Sequence, residues 1–175
     1  MFNGKISDVT KINETSRVID GKIRYLDTGN ITSGTIINTQ SYNNIDAAPS
    51  RARRTVRQND IIYSTVRPNQ KHYGFISCKN KDMVVSTGFA VITANPSIVN
   101  PKYLYYFLSQ DCIIDYLQSI AEQSTSAYPS IVADDIRNLD FCCPDLNIQN
   151  QIVSILDSIN NKTTINTKIN DYLVA

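Results

Sequence analysis

The spacing of apolar residues divides this chain into two regimes. Up to about residue 94 they come in short runs that alternate or β-branch, parted by Asn, Asp, Gly, Ser and Pro, the pattern of short strands joined by tight turns. Residues 5–12 read as a weak strand, and residues 22–38 (KIRYLDTGNITSGTIIN) as short strands with turns at 27–30 and at Ser33-Gly34. Residues 40–49 are polar and read as loop. Residues 61–65, inside DIIYSTV, read as a strand, 67–70 as a turn out of it, and 73–77 as the returning strand. Residues 83–93 (MVVSTGFAVIT) read as one longer strand with a bulge or bend at Ser86-Thr87-Gly88.

Beyond residue 95 the period becomes helical. Asn100 can cap and Pro101 suits the first helical position. Leu104, Phe107, Leu108, Ile114, Leu117 and Ala121 predict one amphipathic helix over 101–122, decorated by Tyr103, Tyr105, Tyr106 and Tyr116. A hydroxyl-rich loop (123–130), a helical turn within 131–138 and an extended run at 139–143 follow. From Asn147, residues Ile148, Ile152, Ile155, Leu156, Ile159, Ile165, Ile169 and Leu173 form an apolar stripe. Its heptad slips between Ile159 and Ile165, in a stretch of poor helix-forming residues. A helix over 147–174 is ~42 Å long, more than a small domain can cover, so the stripe calls for a second chain and a coiled coil, the competing reading being a helix folded back as an ordinary core helix. The fold class expected is α/β (α+β): a globular mixed-sheet domain over 1–143 and a long helix over 144–175.

Charge adds a direction. The net charge of +1 conceals a basic front and an acidic back, +7 over residues 1–81 and −6 over residues 82–175. The basic excess concentrates in residues 51–73, where Arg51, Arg53, Arg54, Arg57, Arg67 and Lys71 stand against one acid, Asp60. Cations with amide and hydroxyl groups on a short rigid element suit a polyanion with readable edges, which is nucleic acid. The plain alternative is a solvated strand-and-turn surface. On the first reading Arg51, Arg53, Arg54 and Arg57 contact the phosphate backbone. Arg67, Asn69, Gln70, Lys71 and Tyr73 read bases or support that reading. Arg24 and Asn30, on or beside the earlier turns, and Ser126 and Tyr128, on the hydroxyl-rich loop, are further DNA-binding candidates.

Chemistry offers little else. The two glutamates, Glu14 and Glu122, lie in unrelated segments, and no phosphate loop, nucleophile elbow or dinucleotide fingerprint occurs. Four cysteines with one histidine and no CxxC give no zinc pattern, and reduced cysteines of a cytoplasmic protein are the simple reading. No stretch approaches the ~20 apolar residues of a membrane span. A binding module rather than an enzyme is expected, with no cofactor and no metal of its own.

Several segments together resemble one family. PDLNIQNQIVSILD, residues 144–157, is similar to the pattern opening the conserved helix in specificity subunits of type I restriction-modification systems: Pro144, Leu146, Gln149, Ile152, Leu156 and Asp157 match, and Ile148 replaces the usual glutamate. RYLDTGNITSGTI, NDIIYSTVRPNQKHYGFI, STGFAVITAN and NPKYLYYFLSQ resemble the successive parts of a target recognition domain. The resemblance implies a domain that grips one half of a split double-stranded DNA target, carried by a long helix that pairs with another. It also implies a non-catalytic subunit that directs methyltransferase subunits using S-adenosylmethionine and a restriction subunit using ATP. One domain and one helix are what a half-subunit holds, so a homodimer is expected, with Ile148, Ile152, Ile155, Ile159, Ile165, Ile169 and Leu173 as its dimerisation helix. The rival reading is a coiled-coil adaptor that binds another protein.

Overall fold

The computed structural model describes residues 1–14, 20–77, 82–123 and 128–174. Its centre is a sheet of four strands in the order β2 (Thr10–Ile12), β11 (Phe89–Ala94), β8 (Ile61–Ser64) and β9 (Tyr73–Phe75), all antiparallel. All four residues of β8 are buried because both faces are covered. Ile61 and Tyr63 point towards the helices with Ala90 and Ile92, while Ile62 points the other way with Phe89 and Val91. This two-sided burial is why the run reads as nearly continuous apolar sequence.

The second sheet has the order β6 (Gln40–Tyr42), β3 (Ile23–Leu26), β10 (Met83–Ser86) and β7 (Ala52–Thr55). Its β3 and β10 run parallel and its other pairs antiparallel. Leu26, Met83 and Val85 face the first sheet, and Ile23, Tyr25, Ala52 and Val84 form a smaller outer cluster. A hairpin of β4 (Ile31–Thr32) and β5 (Thr35–Ile36) and a pair of β1 (Phe2–Lys5) with β12 (Asp140–Cys143) complete the β structure of the described residues. In β12 the neighbours Cys142 and Cys143 take opposite faces, one exposed and one buried. The fold is α+β, with helices on one face of the first sheet and the second sheet on the other.

Four local expectations change. Residues 5–12 are not one strand: Asp8 accepts from the Lys5 N–H at 2.7 Å and closes a helical turn, α1 (Ile6–Val9), between β1 and β2. The polar residues 40–42 are not loop but an edge strand, β6, tied to β3. The run 83–93 is two strands in different sheets, because register shifts at Val85/Ser86 and the chain crosses between layers at Thr87-Gly88. The helix expected over 101–122 is broken into α2 (Pro101–Leu108) and α3 (Asp111–Glu122) by Ser109 and the extended Gln110. The break matches a six-residue step from Leu108 to Ile114, which an unbroken apolar stripe does not contain. After a short α4 (Ala133–Arg137), the chain ends in the 29-residue α5 (Leu146–Val174), ~44 Å long.

Candidate nucleic-acid interface

Strand β8 ends in a loop held on three sides. Thr65 donates to Gly88 O through both its N–H (2.8 Å) and its hydroxyl (3.0 Å). Val66 bridges to Ser130, and the Arg67 N–H donates to Pro129 O at 2.9 Å. Pro68–Gln70 then makes one tight helical turn, flanked by Arg67 (φ 48°) and Lys71 (φ 56°) in the left-handed region. Both residues carry a Cβ that disfavours this conformation, so the surrounding bonds must hold it. They are present: Gln118 on α3 accepts from the Asn69 N–H (3.2 Å), Lys71 Nζ pairs with Asp111 (2.7 Å), and Ser33 N–H donates to Lys71 O (2.8 Å). The Arg67 guanidinium lies over the Tyr128 ring at 5.3 Å.

Two further turns arrive at the same end. Residues 27–34 lie beside the loop through Ser33 and through Gly34 N–H to Tyr73 O (2.9 Å); the Asp27 carboxylate caps Thr28, and Asn30 N–H donates to Asp27 O. The Thr87 N–H donates to Arg51 O (2.9 Å), next to the Gly88 that holds Thr65. Arg51 and Arg53 are exposed there, with Arg53 Nε donating to Ser50 O. Arg51, Arg53, Arg67, Asn69, Gln70, Tyr128 and the turn carrying Asn30 therefore share one end of the two sheets. Cations, amides and a stacked aromatic in one surface can neutralise phosphates and reach base edges.

The other candidates lie elsewhere. Arg54 turns inward to Asn13 Oδ1 (2.8 Å) and Phe89 O, where burial depresses its pKa, so it ties strands together instead of lying open to a phosphate. Arg57 sits at the opposite end of β8, paired with Glu14 at 3.0 Å. Arg24, second in β3 at that far end, grips Asp82 through two bonds, 2.7 and 3.0 Å. Tyr73 is 7 % exposed and stacks on Tyr63 at 5.7 Å, a support for the loop and not a surface ring. Ser126 lies outside the described residues. Sequence reasoning gave no site role to Thr65 and Gly88, which clamp the loop, or to His72, which bonds both Ile31 O and the Gln70 amide. The signal available for His72 was its being the single histidine, set beside the loop's amides.

Helix α5 leaves this body at a polar joint. The buried Gln149 accepts from Asn100 N–H (2.8 Å) and donates to Pro144 O (2.8 Å) and Ile98 O (3.2 Å). Asn100 Nδ2 reaches Asn150, while Lys102 Nζ and the Tyr106 hydroxyl hold Asp157 at 2.7 and 2.5 Å. Gln149, Val153 and Asp157 thus face α2 at four-residue steps. The apolar stripe points elsewhere: Ile148, Ile155, Ile159, Ile165, Ile169 and Leu173 are exposed and Ile152 is half-buried. From Ser158 onward every described side chain of the helix is exposed. Because α5 runs on through residues 160–164, the heptad can be counted without a slip: steps of four and three link Ile148, Ile152, Ile155, Ile159, Lys162, Asn166, Ile169 and Leu173. Ile165 flanks this row, and Lys162 and Asn166 are two polar positions within it.

The profile of the type I restriction modification DNA specificity domain matches residues 2–174. The chain belongs to that family. It is a DNA-specificity domain and not an enzyme. Among curated proteins it is 30 % identical over 149 residues to the HindI type I restriction enzyme specificity subunit of Haemophilus influenzae, covering 85 % of this chain and 32 % of that one. A solved structure of a type I R-M system, described for its complex assembly and conformational transition, matches with a TM-score of 0.79 and 25 % identity, over 96 % of this chain and 44 % of its own. The HsdS subunit of Thermoanaerobacter tengcongensis matches with a TM-score of 0.75 and 26 % identity, over 93 % and 43 %. The specificity domain thus spans less than half the length of each of these relatives. No helix among its described residues is long and apolar enough to cross a membrane.

Proposed function

We propose that this specificity domain reads one half of a split double-stranded DNA target with the end of the sheets that carries Arg51, Arg53, Arg67, Asn69, Gln70 and Tyr128. It pairs through α5 with a second copy of itself and so presents two identical readers. The bound dimer directs methyltransferase subunits, which bring S-adenosylmethionine, and a restriction subunit, which uses ATP, in the cytoplasm; it needs no cofactor itself. The observation that carries the reading is the gathering of three separate turns, with their cations and amides, onto one surface by backbone hydrogen bonds. The second copy is supported by the bare seam of α5 and by relatives whose chains are more than twice the matched length, room for two such units.

Identical readers on a twofold axis require inverted-repeat halves, and the helix pair between them requires a gap. The expected target is an interrupted palindrome. The test is a methylation map of DNA from cells in which this chain is the single specificity subunit beside the methyltransferase. A modified motif with two inverted halves and a fixed gap is expected; an asymmetric or uninterrupted motif refutes the homodimer.

A further inference from the structure

We propose that His72 is a positioning residue that sets DNA specificity, by giving the Gln70 amide one fixed edge to present to a base. The proposal rests on the reading of residues 66–72 as a base-reading loop. Gln70 is exposed on the one-turn helix. A glutamine that rotates freely there offers donor and acceptor ends alike and discriminates poorly between bases. Here the imidazole takes one end, with Nε2 3.1 Å from the Gln70 amide. With that end held by the ring, the opposite end of the amide is the one that faces outwards, so a single polarity meets the base edge.

The ring is anchored on its other side. Its Nδ1 lies 2.5 Å from Ile31 O, with the Thr32 hydroxyl 3.4 Å away. A peptide oxygen only accepts, so Nδ1 carries a hydrogen and donates. Ile31 is 1 % exposed and belongs to the central core, so the chain of contacts runs from core to ring to amide to solvent. The loop is also fixed on both sides of the ring, by Ser33 N–H on Lys71 O and by His72 O accepting from Ser64 N–H at 2.9 Å. Both ring nitrogens are engaged within the protein, so His72 acts on DNA through Gln70 and not as a phosphate contact.

The test selects binding sequences from duplexes randomised around the target, using the full chain and its variants Gln70→Ala, His72→Phe, His72→Asn and the double Gln70→Ala/His72→Phe. His72→Asn keeps a donor near the Nδ1 position for Ile31 O while removing Nε2, so it separates the anchor from the positioning role. Gln70→Ala is expected to weaken preference at one base position by roughly ten-fold. Each His72 variant should weaken preference at that same position and leave the others unchanged, and the double variant should lose no more than Gln70→Ala alone. Preference kept in both His72 variants, or lowered equally at every position, overturns the proposal. If Gln70→Ala itself changes no position, the reading of the loop falls, and the proposal with it.

Discussion

At the residue scale the DNA contacts of the proposed function fall into two kinds. Arg51 and Arg53 project from a strand end, and a phosphate contact there is blind to sequence. Replacing both with Ala is expected to weaken binding to all duplexes alike and to flatten the plot of log K against log salt by about one unit for each phosphate no longer neutralised. Salt-titrated binding on target and unrelated DNA checks this, and a change confined to the target counts against it. Arg67→Ala removes both the guanidinium and its stacking on Tyr128, and it should relax preference at one base at a cost of ~1–3 kcal/mol. Arg54→Ala should instead destabilise the fold, since its partners are Asn13 and a strand carbonyl. Among the described residues, the Tyr63 hydroxyl is buried without a hydrogen-bond partner. Burial pushes its pKa up. Tyr63→Phe removes an unmet polar group and should raise stability in urea by about 1 kcal/mol; a drop in stability would show that the hydroxyl has a partner after all.

At the scale of elements the joint between α2 and α5 decides where the long helix points. Burial works to raise the Asp157 pKa, but hydrogen bonds from Lys102 and Tyr106 and the Lys102 charge outweigh it and hold the carboxyl below its ordinary value. For a lowered carboxyl the stabilisation is fully present above the ordinary value of 3.8 and is lost as pH falls through the lower folded value. Acidification through that window should therefore weaken the joint, and Asp157→Asn should remove this part of the pH dependence. Urea melts of both proteins between pH 2 and 6 measure it, and parallel curves would show that Asp157 contributes nothing. The stripe on the same helix behaves differently. Ile152→Asp and Ile159→Asp should turn dimer into monomer in sedimentation while the sheets keep their fold, because these side chains lie off the face that meets α2. Lys162→Ile, which replaces a polar layer of the seam with an apolar one, should tighten association; an unaffected dimer would place Lys162 outside the seam.

At the scale of the whole molecule, the proposed function makes the sheet ends a reader and the helix a ruler. Seven residues inserted into α5 after Ser158, where the helix has already left the body, preserve the seam and add ~10 Å, about three base-pair steps of ~3.4 Å. The gap of the modified motif is expected to change or modification to cease, with the half-site bases unaltered; an unchanged gap refutes the helix as spacer.

Much of this was legible in the sequence because it depends on neighbours along the chain. Periodicity gave the strands at 61–64 and 73–75, the capped start of α2 and the full run of α5. Charge clustering drew attention to residues 51–73, and the 144–157 pattern pointed to the family. Other features were decided by contacts between distant residues. Whether an arginine lies open to DNA depends on partners far off in sequence: Asn13 for Arg54, Glu14 for Arg57, Asp82 for Arg24. The bend that sends 83–86 and 89–94 into different sheets follows from two apolar faces that each need their own layer. The left-handed backbone at Arg67 and Lys71 is disfavoured locally and persists because α3, the 128–130 segment and the β4–β5 hairpin hold it. Sequence determines local conformation and the supply of charge. Which side chains remain free at the surface, and which distant turns meet there, was settled by the packing of the two sheets.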